Sequence, residues 1–210
     1  MGKQIWKAGN MLYPLPVVLV TVTDGKGHDN AITVAWTGTV CTNPPMLSIS
    51  VRPERYSHAM LLATGEFTVN LTTKKLARAV DFCGVRSGRD LDKFSCMDLR
   101  REAASQVQAP LLADSPVNIE CRVTERKTLG SHDLFLARVL CVHADESCLD
   151  ETGRFDLSRS RPIVYDHGVY YGLGEPLGRF GFSVQKKKKI SRESGEKYGN
   201  RFHEEKRSRE

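Results

Sequence analysis

The most chemically suggestive stretch of the sequence is the hexapeptide Arg52-Pro53-Glu54-Arg55-Tyr56-Ser57. Two guanidinium groups precede a serine that is placed to cap a helix over residues 58–64. Guanidinium forks bind phosphate oxygens in pairs, and the free N–H groups in the first turn of a helix also attract anions. The stretch therefore predicts a phosphate site formed by Arg52, Arg55 and Ser57.

The segment Asn30–Thr39 has the period-two alternation of a half-buried strand. Ile32, Val34 and Trp36 share its apolar face, which we expect to point into the core. The opposite face has only small side chains and hydroxyls, so a flat ligand could lie close to the backbone there. The residues of this second face are Ala31, Thr33, Ala35 and Thr37.

The segment Met46–Arg52 repeats this pattern, with Ser48 and Ser50 opposite the apolar residues at 47, 49 and 51. Two strands with small polar faces would thus lead into a cationic cluster. This arrangement suits a planar group that carries a phosphate, which describes flavin mononucleotide (FMN).

Five segments of the chain resemble the flavin reductase-like family, in particular its flavoredoxin branch. The resemblance extends over residues 9–184 and implies a mainly β protein, with an FMN-binding Greek-key split β-barrel, a few flanking helices and a homodimeric assembly. The segments that carry it are Asn30–Thr39, Ser48–Ser57, Glu66–Leu71, Phe82–Phe94 and Pro162–Ser183.

The resemblance also implies which residues contact FMN. The Thr33 hydroxyl and the Lys93 ammonium are candidates to tune the flavin ring, and Lys93 is equally a candidate for the phosphate. No side chain is expected to be catalytic itself, because the flavin would carry the chemistry at its N5 atom. The expected contacts are Asn30, Ala31, Ile32 and Thr33 at the ring edge, Ser48, Ser50 and Val51 along the ribityl chain, Arg52, Arg55, Ser57, Ser87 and Lys93 at the phosphate, and Tyr171 as a secondary candidate.

Composition and charge describe a globular body followed by a basic tail. The 210 residues carry a net charge of +6, and residues 185–210 contribute ten Lys or Arg against five Asp or Glu. The body that remains is nearly neutral, so the sequence does not indicate a nucleic-acid-binding protein. We predict an FMN-binding domain over residues 1–184 and a disordered tail over 185–210.

The cysteines and the N-terminus indicate a cytoplasmic location. Six cysteines are scattered without a CxxC pair, as is typical of a reducing compartment. We find no apolar signal region before residue 11, and Leu12–Val22 is too short to span a bilayer, so no membrane partner is expected. Cys141, His143 and Cys148 offer soft ligands without a recognised metal spacing, so the sequence predicts no metal site.

Other segments predict the elements that position the site. A strand over Leu15–Thr23 should pair with the Asn30 strand through the turn at 24–27. A helix should cover Lys74–Cys83 and end at Gly84. Further strands are predicted at Glu66–Leu71, Val117–Val123, Leu134–Val142 and Pro162–Tyr171, the last with a turn at Asp166-His167-Gly168.

The sequence therefore predicts an FMN-dependent oxidoreductase. It would pass electrons from NAD(P)H or a redox protein to a flavin, a ferric complex or a protein acceptor. Three alternatives stay open, namely a non-enzymatic FMN electron carrier, an enzyme like pyridoxamine phosphate oxidase, and a binding or scaffold protein without flavin. The neighbouring residues His132 and Asp133 could suggest acid–base catalysis, but adjacent strand residues point to opposite faces.

Overall fold

The computed structural model describes residues 2–184, so the predicted tail over 185–210 lies outside the described residues. Residues up to 173 form one compact unit. The described part of the second unit, residues 174–184, contains a 3-10 turn at Phe182–Val184. Within residues 2–184, every helix is too short or too polar to cross a bilayer.

Twelve strands make up most of the regular structure of residues 2–184, as the resemblance implied. They are β1 Leu15–Pro16, β2 Val18–Thr23, β3 Asp29–Val34, β4 Thr37–Cys41, β5 Met46–Val51, β6 Glu66–Leu71, β7 Arg101–Glu102, β8 Leu111–Leu112, β9 Val117–Thr128, β10 Asp133–Ala144, β11 Ile163–Asp166 and β12 Val169–Gly172.

Three α-helices and three short 3-10 turns complete the first unit. The helix α1 ends at Thr64 as predicted, because Gly65 takes the left-handed conformation (φ 64°) that glycine adopts without strain. The helices are α1 Tyr56–Thr64, α2 Ala77–Val85 and α3 Lys93–Met97, and the 3-10 turns are Lys74–Leu76, Glu146–Cys148 and Leu157–Ser160.

The main sheet has seven antiparallel strands in the order β3-β2-β6-β9-β10-β5-β4. The consecutive strands β3 and β4 therefore lie at its two opposite edges, although only Ala35 and Trp36 separate them in the chain. Since each residue spans at most about 3.6 Å, the two edges must come together. The sheet is thus curled into a half-barrel, and the Ser50 N–H donates to the Trp36 carbonyl at 2.8 Å, which continues the β4–β5 ladder into the crossing.

Strand β2 is buried along its whole length because both faces of the sheet are covered. Its side chains alternate between two cores. Val18, Val20 and Val22 point into the half-barrel, where they pack with Phe67 and with Met60 of α1. The residues between them face the other side of the sheet.

The second core lies outside the half-barrel, between the sheet and helices α2 and α3. Leu19 of β2 and Ala31 of β3 pack there against Val80 and Cys83 of α2 and Phe94 of α3. The small face predicted for the Asn30 strand is therefore covered by a helix over part of its length.

The chain departs from the predicted continuous strand at Trp36. The strand breaks after Val34, where the chain crosses from one sheet edge to the other. The alternation is lost at this point, and Trp36 is 41% exposed instead of lying in the core with Ile32 and Val34. The prediction of a buried Trp36 was wrong, because periodicity does not show where a strand changes partner.

A buried amide holds the outer loops to the sheet. The Asn70 side chain donates to the Leu19 carbonyl at 2.9 Å and accepts from the Leu112 N–H at 3.0 Å. It also accepts from the Asn118 amide at 2.7 Å. Asn70 is fully buried, so these polar groups depend on one another for hydrogen bonds.

We expect Asn70→Ala to lower the free energy of unfolding by about 3 kcal/mol, because it leaves two buried donors without an acceptor. Urea unfolding followed by circular dichroism measures this loss. Thr39→Ala, on the exposed edge strand β4, is the control and should change stability by less than about 0.5 kcal/mol. Equal effects of the two substitutions would contradict the role given to Asn70.

Candidate functional site

An open groove of about 650 Å³ lies where β3 leaves the sheet and β5 ends. This size is in the range of small-molecule and cofactor sites. The groove is bordered by the C-terminal end of α2 on one side and by the β11–β12 hairpin on another. Its lining includes Val17, Ile32, Thr33, Val34, Ala35, Trp36, Ser50, Val51, Arg52, Arg55, Asp81, Gly84, Val85, Ser131, His132, Tyr165 and Tyr170.

The structure brings six of the predicted site residues together in this lining. The end of β3 provides two of them, and the end of β5 with the following turn provides the others. Their contact with a flavin stays a prediction. The six residues are Ile32, Thr33, Ser50, Val51, Arg52 and Arg55.

Both arginines of the predicted phosphate cluster reach the groove. Arg52 is exposed and forms a 3.0 Å ion pair with Glu54. The Arg55 guanidinium donates to the Gly84 carbonyl and so connects the start of α1 to the end of α2. A second donor of each guanidinium stays available for an anion, since the fork carries five N–H groups.

Asn30 and Ser57 lie beneath the groove rather than in its lining. The Asn30 amide donates to the Ser57 hydroxyl at 2.8 Å, and both residues are buried. Gly88 packs directly on Asn30, since a Cβ at this position would lie 2.2 Å from the Asn30 Oδ1 atom. The two contacts hold β3, α1 and the loop after α2 in one cluster.

Ser57 does not cap the helix as the sequence predicted. The N-cap of α1 is Arg55, and Ser57 lies inside the first turn with its hydroxyl bound to Asn30. The helix begins two residues earlier than expected because nothing in the local sequence shows that the serine has a buried partner 27 residues away. Helix α2 similarly continues past Gly84 to Val85.

Lys93 is buried and does not line the groove. Its ammonium donates to the Ala31 carbonyl at 2.8 Å and to the Cys83 carbonyl at 3.0 Å. It therefore joins β3 to α2 from below. Burial lowers the pKa of Lys93 to about 8 and raises the pKa of the neighbouring Cys83 thiol to about 11.

Three other predicted residues lie away from the groove lining. Ser48 is half-buried within β5, where its carbonyl accepts from the Thr37 hydroxyl. The Ser87 hydroxyl accepts from the Arg89 N–H at 3.2 Å. Tyr171 is exposed, and its neighbour Tyr170 lines the groove instead, because successive strand residues point to opposite faces.

Several residues of the groove were missed by the sequence interpretation. Trp36 stacks on His132, with ring centroids 6.0 Å apart and planes inclined by 15°. Burial, together with nearby Arg52, lowers the pKa of His132. The Tyr170 hydroxyl donates to Asp81 at 3.4 Å, and burial raises the pKa of this tyrosine to about 12. For Trp36 the available signal was its position after the strand break, whereas His132 and Tyr170 gave no local signal.

A buried hydrogen bond between a histidine and a carboxylate supports the strands near the groove. His58 of α1 lies 2.8 Å from the Asp133 carboxylate of β10, and Arg126 approaches the same oxygen at 3.6 Å. The hydrogen bond with His58 is the main cause of the lowered pKa of Asp133. Asp133 thus has a structural partner rather than forming a catalytic pair with His132.

Solved structures define the class of protein to which this architecture belongs. Flavoredoxin of Desulfovibrio vulgaris is 28% identical, with a TM-score of 0.81, and the match covers 88% of this chain and 100% of that one. Flavoredoxin from Methanosarcina acetivorans is 26% identical, with a TM-score of 0.79, over 88% and 100% of the two chains. The fold is therefore that of the split-barrel flavoredoxins and flavin reductases.

The chain belongs to the flavin reductase like domain family, whose profile matches residues 10–174. This confirms the resemblance found in the sequence. The "FMN reductase (NADH) RutF" of Methylorubrum populi is 30% identical over 128 residues, which are 61% of this chain and 61% of that protein. The match therefore spans somewhat less than two thirds of that relative.

The burial of Lys93 predicts a specific pH dependence of stability. The pKa of Lys93 is about 8 in the folded protein, and an unburied lysine has a pKa of 10.5. Between these two pH values the unfolded chain therefore binds more protons than the folded protein. Folding then releases a proton, and raising the pH from 8 to 10.5 should stabilise the wild type relative to Lys93→Met. The expected slope reaches about 1.4 kcal/mol per pH unit.

Urea unfolding at pH 7.5, 9 and 10 measures this difference. Lys127→Met is the matched control, since Lys127 is an exposed lysine on β9, and its stability relative to the wild type should not change over this range. A flat difference between the wild type and Lys93→Met would show that the Lys93 ammonium is not held as described.

Proposed function

We propose that the protein binds FMN in the groove and passes electrons from NADH or NADPH to a second acceptor. The observation that carries this proposal is the convergence of Arg52 and Arg55 with the ends of β3 and β5 at one open groove. Membership of the flavin reductase like domain family supports the same assignment.

The residues present in the groove fit the three parts of FMN. Arg52 and Arg55 would hold the phosphate through paired N–H groups. Ser50 and the adjoining main chain of β5 would bind the ribityl hydroxyls. The main chain of β3 at Thr33 would meet the ring edge, and Trp36 provides an apolar wall.

The bound flavin would supply hydride and single-electron chemistry, and the protein residues would position and tune it. Lys93 keeps the Ala31 carbonyl engaged from below, so it fixes the backbone of β3. The Thr33 hydroxyl donates to the Val80 carbonyl, which fixes the same strand against α2. We therefore assign both residues to positioning the strand rather than to direct contact with the ring.

We also propose that the protein is a homodimer, as the family resemblance implied. Strand β10 carries the apolar residues Val139, Leu140 and Val142 after Arg138, yet the first two are only half-buried and Val142 is 55% exposed. An apolar strip of this kind suits a subunit interface. The solution mass from light scattering decides between monomer and dimer.

Removing one phosphate ligand should weaken FMN binding. We expect Arg52→Gln to raise the Kd for FMN about 10-fold to 100-fold, the value of a charge-assisted hydrogen bond pair. Fluorescence titration of the flavin-free chain measures this change. Arg154→Gln, at an exposed arginine outside the groove lining, is the control, and an equal loss in both variants would argue against a phosphate site at Arg52.

The electron donor is tested by mixing the FMN-loaded protein with NADH or NADPH in a stopped-flow instrument. We expect rapid bleaching of the flavin absorbance, because the relative RutF is named as an FMN reductase that uses NADH. A protein that contains FMN but is inert to both nucleotides would contradict the reductase proposal. It would favour the electron carrier, an alternative supported by the full-length match to flavoredoxin.

A further inference from the structure

Three side chains with metal-ligating atoms meet on the face of β9 and β10, away from the groove. They are Glu120 of β9 and Cys141 and His143 of β10, and one donor atom from each lies within 4.8 Å of the other two. The His143 Nε2 atom lies 2.6 Å from Glu120 Oε1 and 3.6 Å from Cys141 Sγ.

A register shift in the hairpin creates this cluster. The pairing of β9 and β10 shifts between Val139 and Cys141, so that Cys141 stands opposite Glu120. Since residues two apart share a face of a strand, His143 follows Cys141 on the same side. Bulges of this kind commonly re-aim a side chain at a functional position.

The spacing of the nitrogen and the sulfur matches a tetrahedral zinc site. Zinc binds histidine nitrogen at about 2.0 Å and thiolate sulfur at about 2.3 Å, which places the two ligand atoms about 3.6 Å apart. This equals the distance between His143 Nε2 and Cys141 Sγ. The Glu120 oxygen is closer to the imidazole than such a site needs, and a small rotation of the part-exposed His143 ring would open that distance.

Glu120 is held in place for this role. It is fully buried, and its carboxylate accepts the main-chain N–H groups of Ser105, Gln106 and Val107. These hydrogen bonds fix the carboxylate in front of His143, and its 2.6 Å contact with the imidazole marks the position that a cation can take.

We propose that Glu120, Cys141 and His143 bind one divalent cation of the zinc class. Oxygen, sulfur and nitrogen donors together favour zinc among the abundant divalent ions. Coordination needs the Cys141 sulfur as a thiolate and a proton-free Nε2 atom on His143, so the thiol proton leaves to solvent and the imidazole keeps its N–H on Nδ1. The side chain of His143 is 34% exposed, which leaves a path for the ion and room for water as the fourth ligand.

The site escaped the sequence interpretation because its third ligand comes from another strand. Cys141 and His143 were considered with Cys148, which is buried elsewhere in a 3-10 turn. Glu120 lies 21 residues before Cys141 and gives no local signal. The cluster does not depend on the proposed flavin function.

The test uses the full-length, untagged, reduced protein after removal of metals, with Co²⁺ as a spectroscopic probe for the zinc class. We expect one Co²⁺ per chain and a thiolate-to-cobalt absorption band in the difference spectrum, which disappears when Zn²⁺ is added. Cys141→Ser should abolish the band. His143→Ala should weaken binding about tenfold or more, and Cys96→Ser, at an exposed thiol outside the cluster, should bind like the wild type.

Thermal unfolding provides the second measurement. Zn²⁺ should raise the Tm of the wild type and of Cys96→Ser, because an ion that binds only the folded state stabilises it. It should leave the Tm of Cys141→Ser unchanged, and the melting of this variant without metal shows that it is folded. Failure of the wild type to bind Co²⁺, or a band that survives in Cys141→Ser, would overturn the proposal.

Discussion

The structure depends on the point where the chain crosses from one edge of the main sheet to the other. Only Ala35 and Trp36 join β3 to β4, so the seven strands have to curl until the two edges meet. The hydrogen bond from the Ser50 N–H to the Trp36 carbonyl ties this crossing to β5. The groove opens at the same place, because a strand that leaves the sheet leaves backbone uncovered on both sides of the break.

The two cores stabilise the strands beneath the groove, because alternate residues of these strands pack on opposite sides of the sheet. Val18, Val20 and Val22 fill the half-barrel, while Leu19 and Ala31 pack under α2 on the other side. Lys93 and Thr33 add hydrogen bonds between β3 and α2. Strand β3, which borders the groove, is therefore packed on both sides, which limits the movement of its main-chain groups.

Much of the fold could be predicted from the sequence, because local patterns and turn residues are strong there. The hairpin after Thr23 and the helix end at Gly65 follow from the residues themselves. The placement of Trp36, Lys93 and Tyr171 could not be predicted in this way. Each depends on a partner distant in the chain. Trp36 depends on the sheet edge to which the chain crosses, and Lys93 on the carbonyls that its buried ammonium contacts. Tyr171 depends on which side of its hairpin meets α2.

Gly88 shows how a residue outside a groove can determine the shape of that groove. The loop after α2 reaches β3 only because this position has no side chain, as a Cβ there would overlap the Asn30 amide. A larger residue would have to push the loop outward, and the Asn30–Ser57 contact between β3 and α1 would open with it. The tolerance of this protein to sequence change should therefore be narrow at a position outside the groove lining.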